Sequence, residues 1–487
     1  MKTKLIRFGL AFLMAATLWS CQWGRAGVTS EKGVPVIKRD LEEIRSEGKL
    51  RALVAYSATG YFLYKGQPMG YEYELLKRLA EHLNLELEVR VVQDLDQMLE
   101  ILQNGQVDLV AHGLAITRER KEEVAFTDYL YLTKQVLVQR KPANWRSMTL
   151  DQIRATLVDD PVDLIGDTVS VRKNSSYLNR LENLSREIGG TIVIDTLEGN
   201  LSTDEIIKMV VDKRIKYTVA DWNLAHINAS SYPILDVSVP VSFSQRIGWA
   251  VRKNARGLQT ALDAWIAQEK KSDEFYYIYN KYFENRRSFN RRIRSEFYSL
   301  AEGRISPYDS LIQTQAAALG WDWRLLASQV YQESRFDANA TAWTGARGLM
   351  QLMPSTAQEL GVSDPSQPEQ SLKGGVRYLQ QLRGAFEGIP DSLQQIKFTL
   401  AAYNCGLGHV QDARRLAATR GLDPDRWDRN VDQMILALSY PKNYYNQVVE
   451  YGYLRGVEPY RYVKQIFERY AHYESLIPRS PNSLGSN

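Results

Sequence analysis

Near residue 305 the repeating texture of this chain changes, and that change bounds the fold more tightly than any other feature. Before it, strand-like runs alternate with helical periods. Leu50–Tyr56 reads as a strand, Tyr73–Leu83 as a helix, Leu85–Val92 as a strand, Leu95–Leu102 as a helix ending at Asn104-Gly105, and Val107–Val110 as a short strand. A second block has strands at Thr168–Arg172, Thr191–Ile194 and Tyr217–Ala220 around helices at Ser175–Ile188 and Ser202–Val211. Ile247–Val251 and the helix Gly257–Gln268 complete it. Such alternation implies parallel sheets with covered faces. From Ile305 onward only helical periods follow one another, among them Trp323–Glu333, Leu393–Tyr403, Tyr444–Leu454 and Tyr460–Glu474. The expectation is a multidomain chain: a two-lobed α/β unit over 49–283 and an all-α unit over 305–487, with linkers at 22–48 and 284–304. Five arginines between Arg286 and Arg294 mark the second linker, read as a solvated connecting helix.

Chemistry is legible at Gln332-Glu333-Ser334-Arg335-Phe336-Asp337, followed by Gly345-Ala346-Arg347-Gly348-Leu349-Met350-Gln351. Leu326, Val330 and Glu333/Ser334 recur at steps of three and four, so the glutamate falls on or beside an apolar stripe. Desolvation there disfavours the charged carboxylate and lets the group keep its proton near neutral pH, as a general acid must. By itself the pattern also fits a buried structural acid. Asp337, past the predicted helix end and before Ala338-Asn339-Ala340, reads as a turn residue rather than a second catalytic carboxylate.

Three blocks, Glu333-Ser334, Gly348-Leu349-Met350-Gln351 and Ala402-Tyr403-Asn404, resemble the lytic transglycosylases of the goose-type lysozyme-like fold. The resemblance implies cleavage of the β-1,4 bond between N-acetylmuramic acid and N-acetylglucosamine in peptidoglycan, leaving a 1,6-anhydro sugar. It implies Glu333 as acid and then base, Ser334 orienting it, Met350 and Gln351 lining the sugar cleft, and Tyr403 and Asn404 on the substrate. Tyr444 stands where the family often has a tyrosine near the acid. Core packing is the alternative for Tyr403 and Tyr444. Ordinary glycosidases need two carboxylates; in an intramolecular reaction the sugar's own 6-hydroxyl replaces water, so one suffices. A muramidase-type hydrolase and a non-catalytic wall-sensing lipoprotein remain the alternative readings.

Gly113-Leu114-Ala115-Ile116-Thr117-Arg118-Glu119-Arg120-Lys121 and Phe126-Thr127-Asp128-Tyr129 resemble family 3 solute-binding proteins, over about Lys49 to Tyr282. That makes the first unit periplasmic-binding-protein-like. Arg120 matches the arginine that clamps a ligand carboxylate, Asp221 the acid that meets the ammonium, and Arg172 a basic residue of several members. Ala115 and Asn174-Ser175-Ser176 depart from the usual pattern, and a peptide or muropeptide is the expected ligand of a regulatory domain. The alternative is that Arg120 and Asp221 form surface or inter-lobe ion pairs.

Lys2, Lys4 and Arg7 precede the apolar run Phe8–Trp19, the pattern of an export signal. Twelve helical residues span about 18 Å, short of the roughly 30 Å hydrocarbon core. Leu18-Trp19-Ser20-Cys21 resembles a bacterial lipobox with Cys21 as lipidated residue; cleavage near Ala26 or Gly27 is the alternative. The expected place is the outer membrane, facing the periplasm, through a lipid or a peripheral contact. A formal charge of +4 over 487 residues calls for no nucleic acid. His82, His112, His226, His409 and His472 lack ligand spacing and no nucleotide loop occurs, so neither metal nor cofactor is expected.

Overall fold

The computed structural model describes residues 37–295, 297, 298 and 304–477. The export signal and Cys21 lie outside these residues.

The first unit is two-lobed. In the first lobe, Lys49–Val54 lies between Glu86–Val91 and Leu109–Ala115, parallel to both. It buries Leu50, Ala52, Leu53 and Val54, because helices cover both faces of the sheet. Gln245–Val251 then pairs antiparallel with Leu109–Ala115, so the sheet is mixed rather than wholly parallel. In the second lobe Thr168–Arg172 runs parallel to Val193–Leu197, while Gln135–Arg140 pairs antiparallel with Thr218–Asp221 and Leu235–Asp236. The chain passes between lobes twice, and the two passages are tied together. Gln245 pairs with Thr133, and Gln135 N donates to Ser242 Oγ at 2.8 Å.

Residues 37–48, expected as linker, are built into the first lobe. Asp40 caps the helix Leu41–Glu47 in a capping box, and its carboxylate also accepts from Gly257 N and Leu258 N at 2.8 and 2.7 Å. One side chain thus satisfies the open amides of two helices. Arg39 reaches the fully buried Asp108 at 2.6 Å, beside Arg252. The arginine-rich segment differs from expectation for a similar reason. The helix Arg286–Ile293 buries Phe289 and Arg292, whose guanidinium lies 5.3 Å from the ring centres of Phe62 and Tyr282. A weakly hydrated planar cation on aromatic faces can be buried where a lysine would not be.

From Asp309 the chain is helical, with Trp323–Ser334 and Ser392–Cys405 packed on Val457–Leu476, and Pro368–Gly384 and Leu407–Thr419 packed on Ser392–Cys405, in one core. Residues 444–454 do not continue as the predicted helix. Only Pro441–Tyr444 is helical; the Asn446 side chain then accepts from Val448 N, and Gly452 takes φ 77. A local side-chain acceptor competes with the helical ladder and turns the chain.

The two units share a junction. The hairpin Phe62–Tyr64 with Gln67–Met69 leaves the first lobe and places Leu63 in the core of the helical unit. Its turn residue Gly66 has φ 73 and passes so close to Tyr331, Phe336 and Tyr473 that an added Cβ would come within 2.8 Å of all three. Tyr473 Oη donates to Gly66 O at 2.9 Å, and Tyr61 Oη bonds His472 Nδ1 at 2.6 Å.

Candidate active site and ligand cavity

Asp322 caps the helix Trp323–Ser334, and Arg335 and Phe336, both at positive φ, stop it directly after Glu333-Ser334. The acid therefore sits in the last turn, half-buried beside the packed stripe of Leu326 and Val330. The stripe packs on Val457–Leu476: Ser328 Oγ donates to Ile466 O at 2.7 Å, and Arg469 donates to Ser328 O at 3.2 Å. This crossing brings Tyr462 to the acid. Its hydroxyl donates to Glu333 Oε1 while accepting from Gln329 Nε2 at 3.3 Å. Burial raises the Glu333 carboxyl to about 7, and the Tyr462 hydroxyl opposes that rise because it binds the ionised form better.

The other residues carried by the resemblance divide by place. Tyr403 lies near enough to feel the charge of Glu333, and its hydroxyl donates to Met350 O at 2.7 Å. Met350 itself is buried, its side chain against Gly375, so its carbonyl and not its thioether belongs to this neighbourhood. Gln351, at φ 47, donates to Ala340 O and Gly348 O at 3.1 and 2.9 Å and so ties the loop after Asp337 to the loop before it. Gly348 has φ 80 and meets the Pro365 carbonyl where a Cβ would stand, which only glycine permits. Ser334 donates to Val330 O at 3.1 Å within its own helix; the hydroxyl on Glu333 is that of Tyr462. Asn404 is exposed at the helix end. Tyr444 does not occupy the place by the acid that Tyr462 takes: its ring meets Tyr445 at 4.5 Å and Tyr453 at 5.7 Å. Asp337 is occupied in the turn, accepting from Asn339 N at 2.9 Å.

Tyr462 was not singled out from the sequence. It lies in a correctly predicted helical stretch, but no local motif marks it; the signal is the packing of two helices more than a hundred residues apart.

Between the lobes a cavity of about 60 Å³ is lined by Arg120, Arg172, Asp221, His112, Tyr177 and Glu72 among others. Burial lowers both arginines, the nearby Arg172 lowers Arg120 further, and Arg120 donates to Ala115 O at 3.0 Å. Burial lifts Asp221 to about 7, against the opposing pull of Tyr177 and Arg120. His112 falls to about 3 through burial and the two arginines, so it stays neutral. Arg120, Arg172 and Asp221, far apart in the chain, thus converge on one cavity.

Residues 38–285 match the bacterial extracellular solute-binding proteins, family 3, and residues 310–424 match the transglycosylase SLT domain. Membrane-bound lytic murein transglycosylase F of Desulfosudis oleivorans is 35% identical over 89% of this chain and 91% of its own length. The protein of the same name from Photobacterium profundum is 31% identical over 98% of this chain and 87% of its own. This chain belongs to that family. The homologue of Vibrio cholerae, 33% identical, spans 90% of this chain and 81% of its own length. Among solved structures, the chain is similar to an ancestral amino acid-binding protein, a precursor of cyclohexadienyl dehydratase. The two are 26% identical, with 50% of this chain and 99% of that one covered at a TM-score of 0.41. Holo ArgBP from T. maritima is also 26% identical, over 49% and 97%, at 0.40.

Proposed function

We infer that this chain is a murein-degrading lytic transglycosylase that cuts the β-1,4 bond between N-acetylmuramic acid and N-acetylglucosamine and leaves 1,6-anhydromuramyl ends. The observation that carries the reading is one half-buried carboxyl, lifted to about 7 by its surroundings and held by a phenol. Protonated Glu333 gives its proton to the glycosidic oxygen as the bond opens. The carboxylate left behind is the form that Tyr462 stabilises, and it next takes the proton of the sugar's 6-hydroxyl as that oxygen closes on the anomeric carbon. One group acting twice needs a pKa near the working pH, because it must both lose and regain a proton in each turnover. Tyr403 and Gln351 hold the cleft's walls in register, and Asn404 offers an exposed amide to the strand. The test is digestion of purified sacculi with mass spectrometry of the products. Anhydro-muropeptides are expected; products one water heavier would mean a hydrolase, and no products a non-catalytic protein.

The first unit binds a ligand through Arg120 on a carboxylate, Asp221 on an ammonium and Arg172 beside them. The cavity of about 60 Å³ between the lobes sets two arginines beside an acid, the pair of signs that a small zwitterion needs. A peptide or muropeptide requires the lobes to open. Attachment to the outer membrane is assigned to the lipobox-like Leu18-Trp19-Ser20-Cys21; no helix among the described residues is long and apolar enough to span a bilayer. Labelled fatty acid incorporated into the chain, and lost in Cys21→Ala, is the expected result.

A further inference from the structure

In place of the predicted helix, residues 440–453 carry Tyr440, Tyr445, Tyr451 and Tyr453, each between 59% and 80% exposed. The rings are held in place. Tyr444 lies among them, 4.5 Å from Tyr445 and perpendicular to Tyr453 at 5.7 Å. Beneath the loop the fully buried Asp412 accepts from Glu450 N and Tyr451 N, both at 2.8 Å, and pairs with Arg415, which in turn donates to Val448 O at 2.7 Å. At the other end the buried Asn443 donates to Ala437 O at 2.7 Å and accepts from Arg420. Buried bonds thus fix a surface on which four exposed tyrosines stand among the polar Lys442, Gln447 and Glu450. Such a cluster costs solubility unless something covers it.

Its position names the occupant. The helix Ser392–Cys405 brings Tyr403 and Asn404 to the cleft and ends at Gly406, where φ 87 turns the chain. Two residues on, Gly408 lies directly under the ring of Tyr451, so close that a Cβ would come within 2.5 Å of it. Tyr451 therefore stands beside the end of the helix whose Tyr403 feels Glu333, and Tyr453 follows it by two residues and meets Tyr444. A sugar ring has an apolar face of C–H bonds and a rim of hydroxyls; a phenol has an apolar face and one hydroxyl, and matches it on both counts. The polymer cut at Glu333 extends past the two sugars at the scissile bond.

We propose that Tyr445, Tyr451 and Tyr453, with Tyr440 at the margin, are an aromatic platform that binds a glycan strand beyond the bond cleaved at Glu333. The proposal rests on the transglycosylase reading, and its test is kept separate from turnover. Glycan strands freed of their stem peptides are titrated into the full chain carrying Glu333→Gln, which leaves them uncut. Adding Tyr445→Ala and Tyr453→Ala is expected to weaken binding about tenfold, the loss typical when an anchoring aromatic is truncated. Tyr445→Trp with Tyr453→Trp is expected to restore it, since the ring face and not the hydroxyl carries the contact. Affinity equal to the parent in the alanine variant, with an unchanged melting curve, would overturn the proposal. Should the double variant melt early, Tyr445→Ala alone decides, because its side chain is the most exposed of the four. Failure of the unaltered chain to cut sacculi would overturn the activity instead, and the binding comparison would still judge the platform.

Discussion

Glu333 and Asp221 are carboxyls raised to the same value, about 7, by the same cause, yet they sit in opposite settings. Each also meets a tyrosine hydroxyl that favours its ionised form, Tyr462 in one case and Tyr177 in the other. The difference lies in what else faces them. Asp221 shares a cavity with Arg120 and Arg172, so its charge can answer a ligand that carries both signs. No cation contributes to the shift of Glu333, and its proton is free to leave for a substrate oxygen. A perturbed pKa therefore marks a functional position without naming its chemistry; the neighbouring charges do that.

The largest expected effect breaks the comparison at the acid. Glu333→Gln should lower release of anhydro-muropeptides from sacculi by about a thousandfold or more, the scale of lost general acid–base catalysis. It should also melt higher than the unaltered chain at pH 8. The folded carboxyl has its pKa raised from 4.5 to about 7, so the folded state holds the extra proton between those values and loses relative stability as pH rises through that window. The glutamine escapes this loss, and the melting difference should shrink toward pH 4.5. Unchanged release from sacculi would remove Glu333 from the chemistry.

Arg120→Ala should come next, weakening ligand binding in calorimetry by about a hundredfold, because it strips a buried charged partner from a carboxylate. Free amino acids and stem peptides are the probes, and heat equal to the unaltered chain would take Arg120 out of the pocket. Tyr462→Phe should slow turnover about tenfold. It should also move the alkaline limb of the pH profile upward, because the lost hydroxyl was the group holding the Glu333 pKa down. A limb that stays in place would mean that the phenol does not stabilise the carboxylate. The smallest effect belongs to Asp221→Asn. Affinity for an ammonium-bearing ligand should rise about tenfold from pH 6 to pH 8 in the unaltered chain, as a group of pKa about 7 ionises, and should be flat in the asparagine variant.

Some of this was legible because it is local. The change from alternating strands to unbroken helices, the apolar stripe beneath Glu333, and the glycine and glutamine of the Gly348–Gln351 turn are properties of neighbouring residues. Periodicity and turn chemistry report them directly. The capping of two helices by Asp40, the burial of Arg292 and the unwinding of residues 444–454 were not legible. In each case a partner distant in sequence, or a single side-chain acceptor, overrides the local preference.

The sequence by itself determined the order of the two units, the acid and its apolar helix, and the residue types that a zwitterion would need. Only the tertiary structure decided which phenol serves the acid, that Met350 lends a carbonyl rather than a side chain, and that Tyr444 packs against Tyr445 and Tyr453. The physical reason is one of range. Periodicity records which face of a helix is buried, whereas a hydrogen bond between Glu333 and Tyr462 depends on how two helices cross, which is set by packing over the whole core.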